Sequence, residues 1–99
     1  INYKKLYQRF KSLEFSLEKW KKAIQHAKSI GINIFFSVFD KESYDILEKL
    51  KISLIKIPSG EINNYDLLKK INKSRKKVIL STGMSNLFEI QKALKHLME

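Results

Sequence analysis

The 99-residue sequence has no cysteine, three glycines and a single proline. Without cysteine it can form no disulfide, thiolate nucleophile or cysteine-ligated metal site. It also has no run of about 18 apolar residues, so we expect no membrane-spanning helix. Its first residues lead into charge and not into the apolar segment of a secretory signal. The absence of cysteine fits a protein of the reducing cytoplasm.

Acidic residues are scarce, with 10 Asp and Glu against 20 Lys and Arg, and the formal net charge is +10. The basic residues are nearly all lysines: Arg9 and Arg75 are the only arginines, although the planar guanidinium is what suits base and phosphate recognition. We therefore interpret most of the charge as a solvated surface, with no dedicated nucleic-acid or membrane site. The alternative is a small basic βα module that binds RNA or another polyanion.

Hydrophobic residues make up 43% of the chain and aromatic residues 11%, enough for the core of one domain. Helical and strand-like apolar spacings alternate along it. The patterns predict helices over 16–29, 40–50, 65–72 and 87–97, and strands over 32–38, 54–57 and 78–81. They weakly indicate one more helix in the first dozen residues. Such alternation is typical of an α/β fold with a parallel sheet and helical crossovers.

Three strands are too few to close a (β/α)8 barrel, which takes about eight strands and 250 residues. The chain is then either a small open sheet or consecutive βα units from a TIM barrel. Exposed sheet edges favour the second interpretation. We thus predict a partial barrel across residues 1–99, with no complete domain boundary inside it. Within it, the core should include Trp20, Phe35 and Phe36, and the helix over 40–50 should bury its stripe of Ser43, Ile46, Leu47 and Leu50.

Small polar residues follow each predicted strand, where parallel α/β folds bind ligands. The three strand ends read FSVFD at 36–40, KIPSGE at 56–61 and STGMS at 81–85. Their hydroxyls and backbone N–H groups could face an anion. Ordinary turn chemistry is the alternative, because Pro, Gly, Ser and Asn are common in such loops.

Lys56 is the most informative single residue, because it interrupts an apolar strand and shares a face with Leu54. An ammonium in a β/α core needs an anion, which predicts a phosphate or carboxylate ligand. A buried ion pair or a lysine reaching water from a sheet edge are the alternatives. Glu61 could bind a sugar or relay a proton, or it could be an exposed acid near a helix start. His26 and His96 have no partners at metal-ligand spacing.

Together, KIPSGE at 56–61 and VILSTGM at 78–84 resemble two strand ends of the N-acetylneuraminate (sialic acid) synthase family. Upstream, FSVFD at 36–40 resembles a third strand end of that family. The similarity runs from about Leu13 to Leu97. Three residues depart from the usual pattern: Ser37-Val38 stands in place of Thr-Pro, and Pro58 stands where Gly or Ala is common.

The resemblance implies a (β/α)8 barrel that condenses phosphoenolpyruvate with an N-acylated amino sugar such as N-acetylmannosamine and releases phosphate. It implies a divalent metal, Mn²⁺ or Mg²⁺, whose ligands lie outside this chain, and a homodimeric full-length enzyme. By motif position, the implied phosphoenolpyruvate ligands are Lys56, Ser59, Ser81 and Ser37. Glu61 would be the catalytic residue and would line the sugar pocket with Phe39 and Met84. The isolated chain should then be inactive, and an inactive truncated product is a further alternative.

Overall fold

A computed structural model describes residues 2–99, which cluster into two units, one that extends to residue 33 and one over residues 34–99. The first unit contains the helices α1 (Tyr3–Ser12) and α2 (Leu17–Ser29). The second contains β1 (Phe36–Ser37), α3 (Lys41–Lys49), β2 (Leu54–Ile57), α4 (Tyr65–Ser74), β3 (Lys77–Leu80) and α5 (Leu87–Met98). No helix within residues 2–99 is long and apolar enough to cross a membrane.

Polar side chains fix where the helices of the second unit begin. Asp40, Asn64 and Asn86 each precede a helix and accept a hydrogen bond from the backbone N–H three residues later. Such caps satisfy donors that have no partner within the helix. Hydrogen bonds from the Ser43 side chain and backbone hold the pKa of Asp40 below its usual value. The predicted starts of the helices over 40–50 and 87–97 agree with the structure, in which α3 begins at Lys41 and α5 at Leu87.

The three strands form a parallel sheet in the order β1-β2-β3. β2 covers the predicted residues, and β3 begins and ends one residue earlier than predicted. β1 is much shorter than the predicted 32–38, because only Phe36 and Ser37 pair with β2. The predicted α/β architecture is confirmed, with a parallel strand after each of three successive helices.

One face of this sheet is buried and the other is open. On β2, Ile55 and Ile57 are fully buried, whereas Leu54 and Lys56 on the opposite face are half-buried. Strand alternation produces this difference between the two faces. α4 packs against both α3 and α5. Its inward residues are fully or almost fully buried: Leu67, Leu68 and Ile71.

Two residues predicted for the core, Phe35 and Ile46, are exposed, whereas Leu47 of the predicted α3 stripe is buried. Phe35 is 43% exposed, because it precedes the short paired part of β1. α3 buries Tyr44 and Leu47, while Ile46 is 45% exposed. The helix is turned so that the Tyr44 hydroxyl donates to Glu48 while the ring is buried. Burial is the largest cause that raises the pKa of Tyr44, and the hydrogen bond to Glu48 raises it further.

Candidate functional site

Lys56 lies in the middle of the open sheet face. Its register partners are Ser37 on β1 and Ile79 on β3. Paired residues of a parallel sheet project to the same side, so these three form one row across the face. Lys56 is half-buried and forms no ion pair with any residue of the described chain. The structure therefore brings the predicted Lys56 and Ser37 together.

Hydrogen bonds extend the sheet past the ends of β1 and β3. The Val38 N–H donates to the Lys56 carbonyl at 3.0 Å, and the Ser81 N–H donates to the Ile57 carbonyl at 3.0 Å. Because side chains alternate along a strand, Ser81 lies on the same face as Ile79 and Lys56. The open face therefore carries one ammonium and two serine hydroxyls toward the carboxyl ends of its strands.

The loops after β2 and β3 approach each other closely. Ser59 begins a single 3₁₀ turn, Ser59–Glu61. A Cβ atom at Gly83 would lie 3.7 Å from the Ser59 Oγ atom. That distance is an ordinary van der Waals contact, so the backbone at Gly83 passes directly beside the Ser59 side chain. The Ser59 hydroxyl and the loop after Ser81 are therefore neighbours, as the strand-end motifs predict.

Glu61 is held by a residue that sequence analysis missed. The Asn64 Nδ2 atom donates to the Glu61 Oε2 atom at 3.1 Å, and the Asn64 Oδ1 atom accepts from the Leu67 N–H at 3.3 Å. Asn64 thus caps α4 with one end of its amide and orients Glu61 with the other. Its position just before the predicted helix was a usable signal for the cap, but nothing in the sequence indicated the bond to Glu61.

The two apolar residues assigned to a sugar pocket are both exposed. Phe39 is 57% exposed, and Met84 is fully exposed. Met84 also has φ 61°, in the left-handed region that disfavours a side chain. Strained residues of this kind cluster at ligand sites. Both side chains lie in loops that follow strands, but the structure gives them no common contact.

A divalent metal does not fit the residues present. Within residues 2–99 no group of three or more His, Asp or Glu side chains could hold a metal ion. The His96 ring stacks on Tyr65 with centroids 4.5 Å apart, and its Nδ1 atom lies 2.8 Å from the Lys92 carbonyl. These contacts link the start of α4 to the end of α5. Because a metal does not fit the described residues, no reaction step is assigned to a metal on this chain.

Comparison with known proteins identifies the family. The model of the NeuB family matches residues 1–99. The chain belongs to the NeuB family. It is 51% identical over 87 residues to the N,N'-diacetyllegionaminic acid synthase of Campylobacter jejuni. The aligned residues make up 88% of this chain and 26% of that protein. It is 31% identical over 87 residues to the N-acetylneuraminate-9-phosphate synthase of Drosophila melanogaster, covering 88% of this chain and 23% of that protein.

Two solved structures share the fold of this NeuB-family chain. One is the N-acetylneuraminic acid synthetase of Leptospira borgpetersenii in complex with citrate, at a TM-score of 0.80 and 27% identity. The superposed region covers 85% of this chain and 30% of the Leptospira chain. The other is a spore coat polysaccharide biosynthesis protein E from Chromobacterium violaceum, at a TM-score of 0.81 and 31% identity, covering 89% and 26%. The chain thus spans about a quarter of the length of its relatives and is a partial (β/α) barrel.

Proposed function

We propose that this chain is the part of a nonulosonate synthase that binds phosphoenolpyruvate and the acceptor sugar, an N-acylated amino sugar such as N-acetylmannosamine. The observation that carries the proposal is the row of Ser37 and Lys56 on the open sheet face, with Ser81 beyond it. A half-buried ammonium without an ion-pair partner in the described chain favours an anion from outside as its ligand. A phosphate or carboxylate at Lys56 would also lie within reach of the serine hydroxyls.

In the proposed reaction, the enol carbon of phosphoenolpyruvate attacks the aldehyde carbon of the open-chain sugar, forming a carbon–carbon bond. Water then adds to the resulting oxocarbenium carbon, and the phosphate leaves with its bridging oxygen. Lys56 would neutralise the anionic substrate while Ser37, Ser59 and Ser81 donate hydrogen bonds to it. Glu61, oriented by Asn64, would accept a hydrogen bond from the sugar, or would relay the proton lost by the attacking water to the alkoxide oxygen formed from the aldehyde.

Other parts of the full-length enzyme would supply the groups that this chain lacks. A divalent metal, Mn²⁺ or Mg²⁺, would polarise the aldehyde when bound by ligands from elsewhere in the enzyme. Phe39 and Met84 would contact the sugar only once other parts of the enzyme close the pocket around them. We further propose a cytoplasmic, homodimeric full-length enzyme that binds neither nucleic acid nor membranes.

A segment exchange tests the proposed function directly. The matching 87 residues of the C. jejuni synthase would be replaced by those of this chain, since the two are 51% identical there. We expect the chimera to form product from phosphoenolpyruvate and that enzyme's own sugar, within about tenfold of the parent rate. The isolated 99-residue chain, assayed alongside with manganese, should show no turnover. A chimera that folds, as judged by its melting transition, yet forms no product would contradict the proposal.

Asn64→Asp in the chimera separates the two roles of Asn64. Aspartate caps a helix as well as asparagine, so α4 should keep its stability. It has no amide donor, and it would place a second carboxylate against Glu61. We expect turnover to fall by about ten- to a hundredfold with little change in melting temperature. Asn64→Ala is the matched control, since it loses both bonds and should lower stability as well. Unchanged turnover in Asn64→Asp would show that Glu61 needs no such orientation.

A further inference from the structure

A second basic site lies at the amino-terminal ends of β2 and β3, where these two strands begin. The loops that lead into β2 and β3 enclose an open cleft of about 630 Å³. The residues around it include Glu48, Lys51, Ser53, Arg75, Lys76 and Lys77. Four cations therefore face one carboxylate. The cleft is separated from the ends of β2 and β3 by the length of a four-residue strand, roughly 13 Å.

The single carboxylate of the cleft is already neutralised. The Lys76 Nζ atom lies 3.5 Å from the Glu48 Oε1 atom and donates to the Ile52 carbonyl at 2.6 Å. The Lys76 side chain is only 14% exposed, and Tyr44 donates a further hydrogen bond to Glu48. These bonds tie the loop before β3 to the end of α3 and to the loop before β2. The other three cations of the cleft therefore have no carboxylate partner in its lining.

Lys51, Arg75 and Lys77 are exposed, and their side chains form no ion pair or hydrogen bond with any residue from 2 to 99. The helix dipoles do not explain them. Lysines already stand in the last turns of α3 and α4, at Lys49 and Lys73, where a cation offsets the partial negative charge. Three further cations around one cleft raise the local potential and attract anions.

The backbone conformation at two of these residues indicates that their side chains have a function. Lys51 and Arg75 both have φ 57°, just after the ends of α3 and α4. This left-handed position is the one where glycine usually ends a helix, because a Cβ atom is unfavourable there. The chain keeps a long cationic side chain at both positions, and both line the same cleft.

We infer that this cleft binds a small phosphorylated anion with at least two negative charges. The volume is within the range of small-molecule sites. Three mobile cations and the Ser53 hydroxyl can surround a phosphate or diphosphate group without burying a charge. The cleft is separate from the proposed phosphoenolpyruvate site, so an experiment can contradict either assignment without contradicting the other.

Inorganic pyrophosphate is a suitable probe, with binding to the 99-residue chain followed by calorimetry and by amide NMR shifts. We expect shifts at 51–53 and 75–77, and a dissociation constant that rises at least tenfold between 50 and 200 mM salt. Lys51→Gly/Arg75→Gly should weaken binding at least tenfold. Because glycine suits φ 57°, this variant should melt at the same temperature as the parent or higher, so lost binding cannot be attributed to unfolding.

Lys69→Met is the matched control, since it removes an exposed cation in α4 that does not line the cleft, and it should leave pyrophosphate binding unchanged. Binding lost in Lys56→Met but kept in the double glycine variant would overturn the assignment. So would shifts confined to 81–85, the absence of binding at 50 mM salt, or tighter binding of a single-stranded RNA oligonucleotide than of pyrophosphate. Inorganic phosphate should bind the same residues more weakly, because it carries less charge.

Discussion

Replacing Lys56 with methionine in the chimera should lower phosphoenolpyruvate turnover by about a thousandfold. Methionine keeps the length and much of the volume of the side chain but cannot neutralise an anion. Removing one partner of a desolvated charge pair costs about 3–5 kcal/mol, which corresponds to two to four orders of magnitude in rate. Initial rates at saturating sugar and varied phosphoenolpyruvate would measure the loss in kcat/KM.

A lysine on the outer side of α4 provides the control for this change. Lys69 is exposed, and Lys69→Met removes the same charge far from the open sheet face, so turnover should stay within about twofold. Lys56→Arg should recover only part of the loss, because the guanidinium restores the charge with a different geometry. Retained turnover in Lys56→Met, with Lys69→Met equally active, would remove the anion-binding role from Lys56.

The parts of the fold that the sequence predicts well are those with strong local patterns. β2 is a four-residue apolar strand broken only by Lys56, and its predicted bounds are the observed ones. Its length and alternation leave a single register in which Ile55 and Ile57 enter the core. The caps of α3 and α5 are short-range interactions of Asp40 and Asn86 with their own helices, so they too are visible locally.

The predictions that fail depend on tertiary context. Phe35 is apolar enough for a core, but it lies beside a strand that pairs over only two residues and has one neighbour. Tyr44 is buried because Glu48 accepts its hydroxyl hydrogen bond, and this pairing was not anticipated from apolar spacing. Arg75 adopts a helix-ending conformation that glycine usually marks. The Asn64–Glu61 bond likewise requires the 3₁₀ turn between β2 and α4.

The second large effect should come from the core that supports this face. Leu68 is fully buried in the middle of α4, among Leu67 and Ile71, and Leu68→Ala should lower the free energy of unfolding by about 2–5 kcal/mol. Since a domain is typically stable by only about 5–15 kcal/mol, this change could unfold much of the population. Urea denaturation of the 99-residue chain, followed by circular dichroism, measures it.

Leu87→Ala is the matched control for the core substitution. Leu87 is 70% exposed in the first turn of α5, so its loss should change stability by no more than about 0.5 kcal/mol. The comparison separates burial from the general effect of shortening a leucine in a helix. Equal effects of the two substitutions would mean that the buried face of α4 contributes no more to stability than an exposed position of α5, and would contradict a core built on Leu67, Leu68 and Ile71.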